Sequence, residues 1–158
     1  VRILCILLLA LGLFDARAEA ADSCSMSVGG INFGVYDPTA GSAATSIGTL
    51  LVSCSWTPPA PASITVAVSL STGSSGSYAA RTMKSGSNTL QYNLYFNSNG
   101  STIWGNGTGG TDYGGATLTT GTPSGSSSTS GTIYGIVPAH QDVAPGAYGD
   151  TIIVTLSY

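Results

Sequence analysis

Charge is what this sequence has least of: four Lys and Arg and seven Asp and Glu among 158 residues, where about a quarter of positions are charged in an ordinary soluble domain. With a net charge of -3 there is no basic footprint for phosphates, which excludes nucleic acid as a partner. Histidine occurs once, at His140, and cysteine three times, so neither a metal cluster nor a Cys/His nucleophile has the side chains it needs. Glutamate occurs only at Glu19 and one aspartate, Asp15, precedes it, leaving Asp22, Asp37, Asp112, Asp142 and Asp150 in the rest of the chain as the carboxylates from which a glycan-cleaving pair would have to be drawn. No segment shows a helical period. What remains is an uncharged surface rich in Ser, Thr and Gly, with little electrostatic protection against self-association.

The first apolar run, 3–14, follows Arg2 and leads into small residues, the pattern of an export signal. Ala16-Arg17-Ala18 and Ala18-Glu19-Ala20 both satisfy the cleavage rule, and the second is preferred, giving a signal peptide over 1–20 and one domain over 21–158. The run is shorter than the roughly 20 residues a permanent span requires. Cys5 leaves with the signal, so Cys24 and Cys54 form an even pair in an oxidising compartment and are expected to join as a disulfide. Closing a loop of that length stabilises by about 3 to 4 kcal/mol in the chain-entropy model.

Past the signal, period-two alternation recurs. Cys24 to Val28 alternates weakly, and Ile31, Phe33 and Val35 share one face of a first strand region. Leu50, Val52, Cys54 and Trp56 share a face of the second, Ile64, Val66, Val68 and Leu70 of the third, and Leu90, Tyr92, Leu94 and Phe96 of another. The proline-rich stretch 57–61 cannot be an interior strand. Residues 97–131 read as a long Gly/Ser/Thr/Asn loop with at most one short hairpin, and 132–137 as a short strand. The last strand sets Ile152, Val154, Leu156 and Tyr158 on one face, with Ile153 out of step. The chain is therefore expected to be all-β, most simply an antiparallel sandwich of six to seven strands.

Motifs with chemistry are scarce. His140 and Asp142 can be set beside a serine on paper, but no spacing favours one and no G-x-S-x-G elbow occurs, so no catalytic residue is assigned and no enzyme activity is expected. Gly105-Asn106-Gly107-Thr108-Gly109-Gly110 matches G-x-G-x-x-G without the strand and helix that give it meaning, and no cofactor or metal is implied. Gly109-Gly110-Thr111-Asp112 is a single copy of a calcium-type repeat that works only when stacked. Asn99-Gly100-Ser101 and Asn106-Gly107-Thr108 fit the glycosylation sequon and read as turns. Ile103, Trp104 and Tyr113 in the glycine-rich loop are a candidate surface contact, weighed against packing back onto the sandwich.

An apolar strand at the end of the sequence raises the question of what pairs with its outer edge. Cys24, Phe33-Gly34-Val35-Tyr36-Asp37-Pro38, the second cysteine in Val52-Ser53-Cys54-Ser55, and the run from Pro145-Gly146 to Leu156-Ser157-Tyr158 resemble the spore coat protein U domain family. That family supplies subunits of archaic chaperone-usher pili. The resemblance implies an immunoglobulin-like sandwich that lacks its final strand, with an open groove lined by Ile31, Phe33 and Val35 on one side and Ile152, Val154, Leu156 and Tyr158 on the other. It further implies three partners: a periplasmic chaperone that fills the groove, an outer-membrane usher, and a neighbouring pilus subunit that donates a strand. The expected destination is the cell surface, by way of the periplasm.

A strand donor needs roughly ten alternating residues ahead of its first strand, and only Ala21-Asp22-Ser23 stand between the preferred cleavage site and Cys24. The expectation is a subunit that accepts a strand without giving one, at the fibre tip, with a possible adhesive role. The rival is a secreted spore-coat or matrix protein whose own chain fills the groove.

Overall fold

The computed structural model describes residues 22–121 and 123–158; the expected signal peptide lies outside the described residues. Among the described residues eight strands run in chain order: β1 (Ser23–Val28), β2 (Ala44–Trp56), β3 (Ser63–Leu70), β4 (Arg81–Ser85), β5 (Asn88–Tyr95), β6 (Gly114–Thr119), β7 (Gly125–Val137) and β8 (Val154–Ser157), with a 3-10 turn at Gly73–Ser75. They form a five-stranded sheet in the order β1-β2-β7-β5-β4 and a three-stranded sheet in the order β6-β3-β8. Every pairing between these strands is antiparallel.

The alternating residues of β2, β3 and β5 do what their period requires. Leu50, Val52, Cys54 and Trp56 meet Ile64, Val66, Val68 and Leu70 across a core completed by Leu90, Tyr92, Leu94, Ile133 and Val137. Such a two-layer arrangement buries one face of each sheet and leaves the other to solvent. Cys24 stands directly opposite Cys54 in the β1–β2 register, and the two form the disulfide.

Three expectations are corrected. The stretch 97–131 is not one long loop: it holds β6 and the first half of β7, and β7 pairs with β2 over its whole length, Trp56↔Gly125 to Ala44↔Val137. Its Ser and Thr residues carry no apolar alternation because β2 supplies the apolar side chains and β7 mainly backbone hydrogen bonds. The first strand is β1, and 29–35 follows outside any ladder, with the Gly29 N–H donating to Thr49 O at 2.7 Å. Ile31 and Phe33 reach the core by crossing Gly48 and Gly135, where a Cβ would come within 2.8 Å of Ile31 and 2.7 Å of Phe33. Val35 does not join them. Gly34 takes φ +69° while its N–H donates to Asn32 Oδ1 at 2.9 Å, turning the chain so that Val35 is 96% exposed.

The third correction concerns Trp104, which is core, 3% exposed, not surface. Its indole Nε1 donates to Val68 O at 2.9 Å and its ring stacks on Phe96 at 4.1 Å. It fills the space beside Gly114 and Gly131, where β6 and β7 have no side chains. Ile103 is half-buried, and only Tyr113 of the three candidate contact residues is exposed.

Candidate functional site

β8 is hydrogen-bonded on one side only, to β3, through Ala67↔Ser157, Val68↔Leu156, Ser69↔Thr155 and Leu70↔Val154. Among the described residues no strand takes its other edge. Beside Val154 the sandwich is open along a cleft made of two connected hollows of about 320 Å³ and about 530 Å³, which share Ile31, Phe33, Met83 and Tyr148. One wall is the crossing segment 28–36, the other is 143–154, and the floor is Met83, Leu90, Tyr92, Leu94 and Ile133. Of the expected groove residues, Ile31, Phe33, Ile152 and Val154 line this cleft and are only part-buried. Val35 stands at its open end. Leu156 continues the row of β8 beyond the cleft, and Tyr158 lies past the ladder, 61% exposed. The floor residues and Tyr148 carried no signal of a groove, because a core residue at period two reads the same whether or not a strand covers it.

The walls are fixed by polar contacts. Arg81 is fully buried and gives Ser71 O two hydrogen bonds (3.0 and 2.8 Å), Asn93 Oδ1 one (2.7 Å) and Trp104 O one (2.7 Å). Its guanidinium lies 5.3 Å from the Tyr78 ring centroid. Burial pushes its pKa down, yet a guanidinium titrates so high that it stays protonated. Ser71, held by Arg81, in turn holds the wall: its N–H donates to Ile153 O and the Ile153 N–H donates to Ser71 Oγ, both at 2.9 Å. A backbone pair between Lys84 and Gly149, at 2.8 and 3.1 Å, ties the same wall to β4.

Among the described residues Asp150 is the sole charged one lining the cleft. It accepts from the Tyr92 hydroxyl at 2.7 Å and from the N–H groups of Ser74 and Thr151, each at 2.9 Å. Burial pushes its carboxyl up, but these bonds together outweigh it and hold the pKa below the usual 3.8. Burial, and then the bond to Asp150, push the Tyr92 hydroxyl well above its ordinary range. A carboxyl depressed by folding stabilises above its unfolded pKa, and that contribution is lost as pH falls through the folded value. Thermal midpoints measured from pH 7 down to pH 2 should therefore drop steeply below about pH 3.8. Asp150→Asn should be less stable at neutral pH and show a shallower acid slope, the remainder coming from Asp37, whose carboxyl is lowered by its bonds from Thr39.

A family model for the Spore Coat Protein U domain matches residues 10–155. The chain belongs to that family. Protein U of Myxococcus xanthus, a relative, is 30% identical over 156 residues, covering 91% of this chain and 82% of that protein. The spore coat protein U fold seen here also resembles a solved chain from the CsuC–CsuE chaperone–tip adhesion subunit pre-assembly complex of the archaic chaperone-usher Csu pili of Acinetobacter baumannii. The TM-score is 0.56 at 21% identity, over 87% of this chain and 40% of that one, a likeness of fold. The resemblance read from the two ends of the sequence and the all-β sandwich are both borne out.

Proposed function

We propose that this spore coat protein U domain chain is a structural subunit of a chaperone-usher surface pilus, whose open cleft accepts a strand from another chain. The observation that carries the reading is the one-sided β8 beside an apolar cleft: backbone groups wait on the edge, and Ile31, Phe33, Ile152 and Val154 offer sites for alternate side chains. A periplasmic chaperone occupies the cleft first, the outer-membrane usher exchanges it, and a neighbouring subunit supplies the permanent strand. Export through the periplasm to the cell surface follows from this sequence of partners. A place at the fibre tip with an adhesive role is the finer part of the proposal, supported by the fold likeness to a complex that contains a tip adhesion subunit. The rival, a self-completed matrix protein, draws on Ile31 and Phe33 crossing the inner face, but these residues leave the cleft open.

The test is periplasmic expression with and without a cognate chaperone, followed by addition of a ten-residue peptide of alternating apolar residues. A ligand at about 100 times its Kd stabilises by about 2.7 kcal/mol, which for a domain of this size raises the thermal midpoint by roughly 10 °C. Ile152→Asp should abolish the rise. A lone chain that is monomeric, soluble and indifferent to both peptide and chaperone would establish the matrix-protein reading instead. The tip position is tested by immunogold labelling of assembled fibres, where staining along the whole shaft would refute it.

A further inference from the structure

The outer face of the five-stranded sheet is set by register. On it Thr45 of β2 stands opposite Ile136 of β7, Ile47 opposite Tyr134, and Tyr134 beside Tyr95 of β5. Thr45, Ile47, Tyr134 and Ile136 floor a dish of about 430 Å³. Ile47 is 60% exposed there, an isoleucine outside the core. Ser98 walls one side, carried on the turn 97–101. That turn is stiff: Asn97 Oδ1 accepts from the Ser101 N–H at 3.0 Å, Asn97 Nδ2 donates to Ser101 Oγ at 2.9 Å, and Gly100 takes φ +69°. Gly100 lies so close that a Cβ would sit 3.0 Å from Ile136 and 3.6 Å from Tyr95.

The hydroxyls of Thr45, Ser98 and Tyr134 make no hydrogen bond among the described residues, and no charged side chain lines the dish. Along the same two strands the face continues as cross-strand pairs: Thr49 with Thr132, Leu51 with Ser130, Ser53 with Ser128. Successive pairs are about 6.8 Å apart, two residues of strand. The result is an amphipathic seat that opens onto an uncharged track of mostly hydroxyl side chains.

We propose that this face binds a linear neutral polysaccharide, with one sugar ring on Ile47 and Tyr134 and the chain continuing along the hydroxyl pairs of β2 and β7. A pyranose ring has an apolar C–H face and a rim of hydroxyls, and the dish offers a match to both: an aliphatic and an aromatic side chain below, uncommitted hydroxyls around. An acidic glycan or nucleic acid would need cations that are absent from the dish. The apolar side chain of a protein partner would strip water from three hydroxyls without replacing their hydrogen bonds, which is costly. The dish lies on the other face of β7 from the cleft, Tyr134 turned outward beside the inward Ile133 of the cleft floor, and does not depend on strand acceptance.

The experiment uses the full exported chain, peptide-completed or chaperone-bound, titrated calorimetrically with maltohexaose, cellohexaose, mannohexaose and chitohexaose, each beside its disaccharide, and with heparin as the polyanion. At least one hexasaccharide should bind, more tightly than its disaccharide, with heparin inert. Tyr134→Ala and the milder Thr45→Ala should each weaken it, the former about tenfold, equivalent to about 1.4 kcal/mol. Both variants should keep the thermal rise with donor peptide, which separates loss of the site from loss of fold. Absence of binding by all four hexasaccharides, equal binding of heparin, or affinity indifferent to both substitutions would overturn the proposal.

Discussion

Arg81→Met should lower the stability of the peptide-completed protein by about 3 kcal/mol or more, read as a fall in thermal midpoint of roughly 10 °C. The guanidinium is fully buried and gives four hydrogen bonds to three acceptors, Ser71 O, Asn93 Oδ1 and Trp104 O. Methionine matches much of its length and removes the donors, leaving those acceptors dry and unpaired, each costing about 1–3 kcal/mol. Lysine should not rescue, because a single ammonium cannot reach Ser71, Asn93 and Trp104 in the planes that a guanidinium fork spans. Lys84→Met provides the contrast: Lys84 is exposed, so its loss should stay within about 0.5 kcal/mol. A second consequence separates Arg81 from an ordinary core residue. Since Arg81 fixes Ser71, and Ser71 fixes Ile153 on the cleft wall, the variant should also bind donor peptide more weakly than its residual stability alone explains.

Much of the fold was legible in the sequence where one strand carried its own apolar face. β2, β3 and β5 each alternate over four positions, and their inward residues are the core. The first half of β7 was hidden because it presents Ser127, Thr129 and Gly131 inward and Ser126, Ser128 and Ser130 outward, so nothing distinguishes its two faces. Its identity as a strand depends on β2 across the ladder, a partner some 80 residues away that composition cannot reveal. The crossing of Ile31 and Phe33 depends in the same way on Gly48 and Gly135, glycines that look like breaks in their own strands. For the cleft, the walls were readable from the ends of the chain, as Ile31, Phe33, Ile152 and Val154. Of its floor, Tyr92 and Leu94 were readable only as core, and Met83 and Ile133 gave no signal of their own. Arg81 gave no sign of its role, since arginine is rarely buried completely and the sequence shows only that it is one of few cations.

Trp104→Ala should cost about 3–5 kcal/mol, the range for removing a large buried aromatic, measured as a shift in urea midpoint without a change in slope. A tryptophan in a glycine-rich stretch invites a surface role, and the geometry argues against it at three points. The ring stacks on Phe96 at 4.1 Å, the indole N–H donates to Val68 O at 2.9 Å, and Gly114 and Gly131 leave room that no other side chain fills. Truncation therefore opens a cavity between the two sheets and also orphans a carbonyl of β3, the strand that carries β8. Trp104→Phe should recover most of the packing but not the hydrogen bond, and so cost about 1–2 kcal/mol. Tyr113→Ala, on the same stretch but exposed, should change stability by no more than about 0.5 kcal/mol. The opposite ordering, with Tyr113 costly and Trp104 neutral, would mean that the stretch around Trp104 detaches from the sandwich in solution and that the candidate surface contact of Ile103, Trp104 and Tyr113 is real. The predicted ordering instead makes Trp104 the pillar between β6 and β7, so that the glycines around it are the space it occupies.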